Sequence, residues 1–222
     1  MGNLTEIFNQ AIPASSHFDL NYKLLASLCR STELAISNSI QHYEQNGLEF
    51  EEIDVDPETG PIGFEHYDDI TDHDVLDLDS TVKVHFPSMQ RRSVYLTIFG
   101  VFEHELELFC KLISRKNSTK IEVTDFKGSG IERSALYLNK CMDIRVSTTM
   151  LRKLQKLRNI CAHQDAKYKL PDGQDIQEIT TLVNANPDLL ELDQLEGKVI
   201  LKAGFLDWAL GVIYDFFRDI EQ

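Results

Sequence analysis

Residues 99–113 read FGVFEHELELFCKLI, and the spacing within this stretch decides the fold. Phe99, Phe102, Leu106, Phe109 and Ile113 recur at steps of three and four residues, the period that lines one side of an α-helix. The spacing predicts a long helix over 88–114. Downstream, a shorter helix is expected from Gly130 to about Met142, with Ser129 and Glu132 as a capping box. Ser147 then stands as the N-cap of a helix that places Met150, Leu154, Leu157 and Cys161 on one side. A loose segment with Pro171 and Gly173 runs to Gly197 and KVILK, which reads as a short strand. The chain closes on GFLDWALGVIYDFFRDI, an amphipathic helix carrying Phe205, Trp208, Val212, Ile213 and Phe216. Upstream, 19–46 has helical periodicity, with Leu20, Leu24, Leu28, Ala35, Ile36, Ser39, Ile40 and Tyr43 favouring one side and Asn46-Gly47 as the stop.

Between the first two long helices the texture changes. Over 48–87 acids dominate, Pro57, Gly60, Pro61 and Gly63 break any helix, and Val82, Val84 and Phe86 alternate with the period of a strand. The expected fold is mainly α, one domain over 1–222 built as a bundle of four to five helices, with an acidic, partly β insertion at 48–87.

The 222 residues are enough for one sizeable core, and the hydrophobic fraction of 42% is ordinary. The net charge of -14 argues against a protein that coats DNA or membranes. The charge is uneven, however. Residues 49–79 contain no Lys or Arg, whereas 111–169 is basic. Cys29, Cys110, Cys141 and Cys161 form no C-x-x-C pair and lie among apolar residues, so free thiols in a reducing cytoplasm are expected. MGNLTEIFNQ lacks the pattern of a signal peptide, and no apolar run approaches the roughly 20 residues of a membrane span. Asp54, Asp56, Glu58 and Glu65 imitate a calcium loop, but Thr59 occupies the glycine position, so a solvated acidic loop is expected instead. His66, Asp72, His73 and Asp74 have no ligand spacing, and Gly128 to Gly130 lacks the Lys-Ser/Thr of a phosphate-binding loop. No metal or cofactor is expected.

The most informative stretch for chemistry is RNICAH, Arg158 to His163, at the end of the basic amphipathic run TTMLRKLQKLRNICAH. The bare Arg–His spacing arises about once by chance in this composition; an Asn beside the Arg lowers that to about 0.04. Asn159 and His163 share a helix side, while Arg158 and His163 diverge by roughly 140°. A plain alternative is a helix end whose cations complement the dipole. The chemical alternative is RNA cleavage, in which the 2′-OH is the nucleophile. Histidine suits proton transfer near neutral pH, and arginine forks onto phosphate oxygens and offsets charge on the phosphorane. Glu103 shares a helix side with Phe99 and Cys110, so it either pairs, partly buried, with Arg158 or stands as a plain surface residue.

Together these pieces resemble a HEPN domain, the higher eukaryotes and prokaryotes nucleotide-binding superfamily. Arg158-Asn159-Ile160-Cys161-Ala162-His163 matches its R-[N/D/H]-x-x-x-H signature, FGVFEHELELFCKLI resembles its core helix with the Phe102-Glu103 pair, and DFKGSGIERSALYLNKCMDI and the last strand and helix resemble bacterial RNase-toxin-like members. The likeness covers 88–220. It implies an all-α, commonly dimeric fold and a metal-independent endoribonuclease whose composite site forms where two motifs meet across a helix interface. It also implies His163 as general base or acid, Arg158 as phosphorane stabiliser, Asn159 as an orienting group and Glu103 as a further site residue. The expected partners are an RNA substrate (tRNA or single-stranded), a second copy, and an antitoxin or regulatory protein in phage defence or a toxin–antitoxin pair, with no membrane. Some such toxins carry a modified tyrosine two residues after the histidine; here Asp165 stands there, and the next tyrosine is Tyr168. Two further readings stay open, a non-catalytic HEPN module that dimerises or recruits a partner, and nucleotide sensing in the bundle groove.

Overall fold

The computed structural model describes residues 14–75, 77–117, 120–128 and 130–220. Six helices carry the body: α1 (Ala14–Asn46), α2 (Phe86–Lys116), α3 (Gly130–Met142), α4 (Thr149–His163), α5 (Gln177–Ala185) and α6 (Phe205–Asp219). Three strands, β1 (Glu49–Asp56), β2 (Gly60–Tyr67) and β3 (Ile70–Thr71), follow α1, and β4 (Leu190–Asp193) and β5 (Lys198–Leu201) form a hairpin before α6. The protein is mainly α with small antiparallel sheets. Ser129, and with it the expected capping box, lies outside the described residues, as does MGNLTEIFNQ.

α2 is the central post, touching α1, α3, α4, α6 and β5. Its apolar side puts Phe99, Phe102, Leu106, Phe109 and Cys110 into the core. Phe102 meets Phe99, Phe216 and Phe217 edge-on, and Phe18 of α1 stacks on Phe217 at 4.6 Å. These aromatic contacts join the two ends of the described chain through α2. Two polar side chains fasten β5 to the same post. Ser88 Oγ accepts from Leu201 N at 3.0 Å, and Arg91 donates to the Leu201 carbonyl at 3.1 Å while forking onto Glu33 of α1 at 2.8 Å. The backbone groups of this buried strand residue are thus satisfied from a helix.

The structure corrects several expectations. In α1 the buried seam is Phe18, Leu25, Cys29, Ile36 and Tyr43, and Leu20, Leu24 and Leu28 are exposed. At about 100° per residue the seam positions fall within a sector of about 40°, and Leu20, Leu24 and Leu28 lie about 160°, 120° and 80° from its middle. The stretch TVKVHF is not a strand. Thr81–His85 is a π-helical turn, preceded by a helical turn at Leu78–Ser80 and running into α2. Asp77 caps this lead-in by accepting from Ser80 N at 3.0 Å, and Lys83 pairs with Asp79 one turn away at 2.7 Å. Val82 is buried and Val84 exposed, so burial and charge follow the helical period and outweigh β-propensity. The β part of the insertion is instead the β1–β2 hairpin, turned by Pro57 and Gly60 (φ 94°), with Asp56 Oδ1 accepting from Glu58 N and Thr59 N. Thr148, not Ser147, occupies the N-cap of α4. The expected loose segment contains α5 and β4, because Ile179, Leu182 and Val183 supply a short buried face.

Candidate functional site on α4

α4 buries Leu151, Leu154, Leu157 and Ile160 against the body, leaving Met150 and Cys161 at the margins of the seam. Tyr95 of α2 donates its hydroxyl to the Leu154 carbonyl at 2.6 Å, which fixes the two helices to each other. The opposite side of α4 exposes Arg152, Lys156, Asn159 and His163. Their steps of four, three and four residues make one outward stripe.

Arg158 lies on the flank of that stripe, facing α2. One guanidinium nitrogen donates to Glu103 Oε2 and the other to Asn159 Oδ1 at 3.0 Å. The guanidinium carbon lies 5.5 Å from the centre of the Phe99 ring. Gln155 donates to the second oxygen of Glu103 at 3.2 Å. The side chains of Arg158 and Glu103 are 24% and 22% exposed, so this ion pair is shielded but reachable from solvent. Gly130, the first residue of α3, also stands against Glu103; a Cβ there would lie 3.5 Å from Oε1. The electropositive start of α3 therefore faces the same carboxylate. Glu103, Arg158 and Asn159 are brought together. His163 is not joined to them, and among the described residues no hydrogen bond or ion pair involves its side chain.

The end of α4 is nonetheless firmly built. Gln164 N and Ala166 N both donate to the Ile160 carbonyl at 2.9 Å, and Asp165 and Ala166 adopt left-handed conformations (φ 49° and 60°). The Asp165 carboxylate accepts from Arg92 at 2.9 Å and from Lys198 at 2.8 Å. The Lys198 hydrogen bond, reinforced by Arg92, holds the Asp165 carboxyl below its ordinary range. Tyr168 is buried with its hydroxyl donating to Gln194 at 2.9 Å. Sequence reasoning missed Gln155, Phe99 and this Arg92–Asp165–Lys198 clamp. Gln155 precedes Arg158 by one helical turn, a signal present in the sequence; the clamp spans three distant segments and left none.

All four cysteines are free thiols. Burial pushes Cys29 up to about 11 and Cys110 and Cys161 to about 12, so none of these three is a thiolate nucleophile near neutrality. Among the described residues the one trio of metal-ligating groups is His85, Asp193 and Glu196, with ligand atoms within 4.8 Å of one another, on a cleft of about 630 Å3 between the π-helical turn and the β4–β5 hairpin. Asp193 Oδ1 already accepts from Leu195 N and Glu196 N, and Glu196 pairs with Lys198 at 2.8 Å. His66, Asp72, His73 and Asp74 do not gather into a site; Asp74 accepts from Thr71 at 2.9 and 3.0 Å within its own turn. No helix of the described residues is long and apolar enough to cross a membrane. No protein-family model matches this chain, and no curated protein or solved structure is significantly similar to it.

Proposed function

We propose that the protein is a HEPN-type, metal-independent endoribonuclease acting in a reducing cytoplasm, in phage defence or a toxin–antitoxin pair. The observation that carries this reading is Arg158, oriented by Glu103 and Asn159 on the flank of a cationic stripe that ends at an unengaged His163. The two bonds use two of the five guanidinium donors, which leaves three for phosphate oxygens. RNA lies along Arg152 and Lys156. His163 takes the 2′-OH proton or returns one to the departing 5′-oxygen, Arg158 stabilises the phosphorane, and Asn159 and Glu103 hold Arg158 in place. The products are a 2′,3′-cyclic phosphate and a 5′-OH. One chain supplies a single histidine to a reaction with two proton transfers, so a second copy completes the site.

A second reading is favoured by a specific observation. Arg158 already pairs with Glu103 and Asn159, and His163 stands apart from it, as expected of a helix end in a non-catalytic HEPN module. Cleavage of total tRNA and of a single-stranded RNA pool in EDTA separates the two. The nuclease reading expects cyclic-phosphate ends and a loss of about 10²–10⁴-fold in His163→Ala, the usual range for a general acid or base, with a comparable loss in Arg158→Ala. A folded wild-type protein that cleaves neither pool supports the module.

A further inference from the structure

Residues 49–79 carry 13 Asp and Glu, two His and no Lys or Arg, which leaves -1 for the rest of a chain whose total is -14. Residues 111–169 carry 14 Lys and Arg against five Asp and Glu. The protein is thus not uniformly acidic but has two opposed poles. The negative pole stands largely unneutralised. Among the described residues the only Lys or Arg paired with 49–79 is Lys83, on Asp79. The hairpin is seated at the C-terminal end of α1 through the Tyr43–Tyr67 ring contact at 4.9 Å, and among the described residues no ion pair joins it to α4. β1 is an outer strand of its sheet, with no strand on its far side among the described residues. Phe50, Ile53 and Val55 on β1 are exposed between the acids. On the positive pole, Lys153 and Lys156 of α4 have no ion pair among the described residues, and Arg152 has only a 3.9 Å contact with Glu132.

We propose that the β1–β2 arm of one copy docks on the α4 stripe of a second copy of this chain, its carboxylates occupying the positions at which RNA phosphates bind. Charge complementarity selects the occupant: this same chain carries an exposed cationic stripe on which Lys156 has no ion pair among the described residues, and none joins that stripe to the arm of its own copy. The docking depends only on charge and exposure. Its consequence, that RNA and the arm exclude each other from α4, rests on the proposed function.

The test mixes equal amounts of 14N- and 15N-labelled full-length protein at low salt and applies a carbodiimide, which activates a carboxylate for attack by an amine and leaves as a urea, taking up the elements of water, so that an amide without a spacer remains. The expected result is mixed-label peptide pairs joining 49–58 to Lys153 or Lys156, reduced severalfold at high salt and by added single-stranded RNA. Same-label pairs alone, or no pairs between these segments, overturn the proposal; pairs that persist unchanged with RNA overturn the shared site. The exposed-position variants Glu51→Lys with Asp54→Lys and Arg152→Glu with Lys156→Glu, each checked for its helical circular dichroism, supply a second arm. Each alone loses the pairs, and a mixture of the two regains them between chains. Failure to regain them counts against the proposal. None of this requires cleavage, so an inactive nuclease leaves the docking standing, and absent docking leaves the nuclease standing.

Discussion

Asp165 shows how one side chain holds the end of α4. It bridges Arg92 and Lys198 from a left-handed backbone position two residues beyond His163. Its folded pKa is lowered, so its contribution to stability is present above the unfolded carboxyl value of about 3.9 and is lost as pH falls through the folded value. Asp165→Asn is therefore expected to be less stable than wild type at pH 7, with the difference closing below about pH 4 in denaturant titrations. With the carboxylate 58% exposed, solvent screening keeps the effect within about 1 kcal/mol. Glu103→Gln is a second residue-scale case. It keeps an acceptor for Arg158 but removes the charge, and a cost of about 1–2 kcal/mol is expected for weakening a charged hydrogen bond. If Glu103 holds Arg158 for catalysis, cleavage falls in Gln and falls further in Ala, and unchanged cleavage in a folded Gln variant removes Glu103 from the site. The sequence placed Glu103 on the Phe99 side of its helix, which is where Arg158 meets it. Gln155 stands one helical turn before Arg158 in the sequence, but its bond to the second oxygen was not legible, because helical spacing states which side a residue occupies and not which neighbour crosses there.

Elements were legible where apolar residues alone marked the core. α2, α3 and α6 fit this description, and their spans lie within a few residues of the expected ones. α1 was located, and Ile36 and Tyr43 of its expected apolar side are buried, but its first half was turned the wrong way, since Leu20, Leu24 and Leu28 outnumber the seam leucine Leu25 there. Adjacent residues now make the test. Leu25→Ala is expected to cost about 2–5 kcal/mol, as for a buried leucine, whereas Leu24→Ala stays within about 0.5 kcal/mol; equal losses would show the seam to be wrong. The lead-in to α2 was misread because Val82, Val84 and Phe86 satisfy both a period of two and, in part, a helical turn. Val84→Pro separates these alternatives. A helix interior loses about 3 kcal/mol or more to proline, while an exposed edge strand tolerates it, so a melting temperature near wild type would argue against the continuous helix.

At the scale of the whole molecule, the separation of the two charge poles governs what approaches. Three cations on α4, Arg152, Lys156 and Arg158, predict a log–log salt slope for single-stranded RNA binding of about -2, at roughly 0.7 per phosphate neutralised. Lys156→Ala is expected to reduce the slope by about 0.7; a slope near zero for wild type would mean that the stripe does not contact phosphates. The aromatic stack of Phe18 on Phe217, with the Tyr214 hydroxyl donating to Asp19 at 2.9 Å across 195 positions of sequence, has a consequence for synthesis. At about 5–20 residues per second, a ribosome makes the partner of α1 roughly 10–40 s after α1 itself. Throughout that interval the seam of α1 has no α6 to cover it, so a nascent chain stalled before Phe205 is open to protease and to chaperones. The seam of α1 is covered only once α6 has left the exit tunnel.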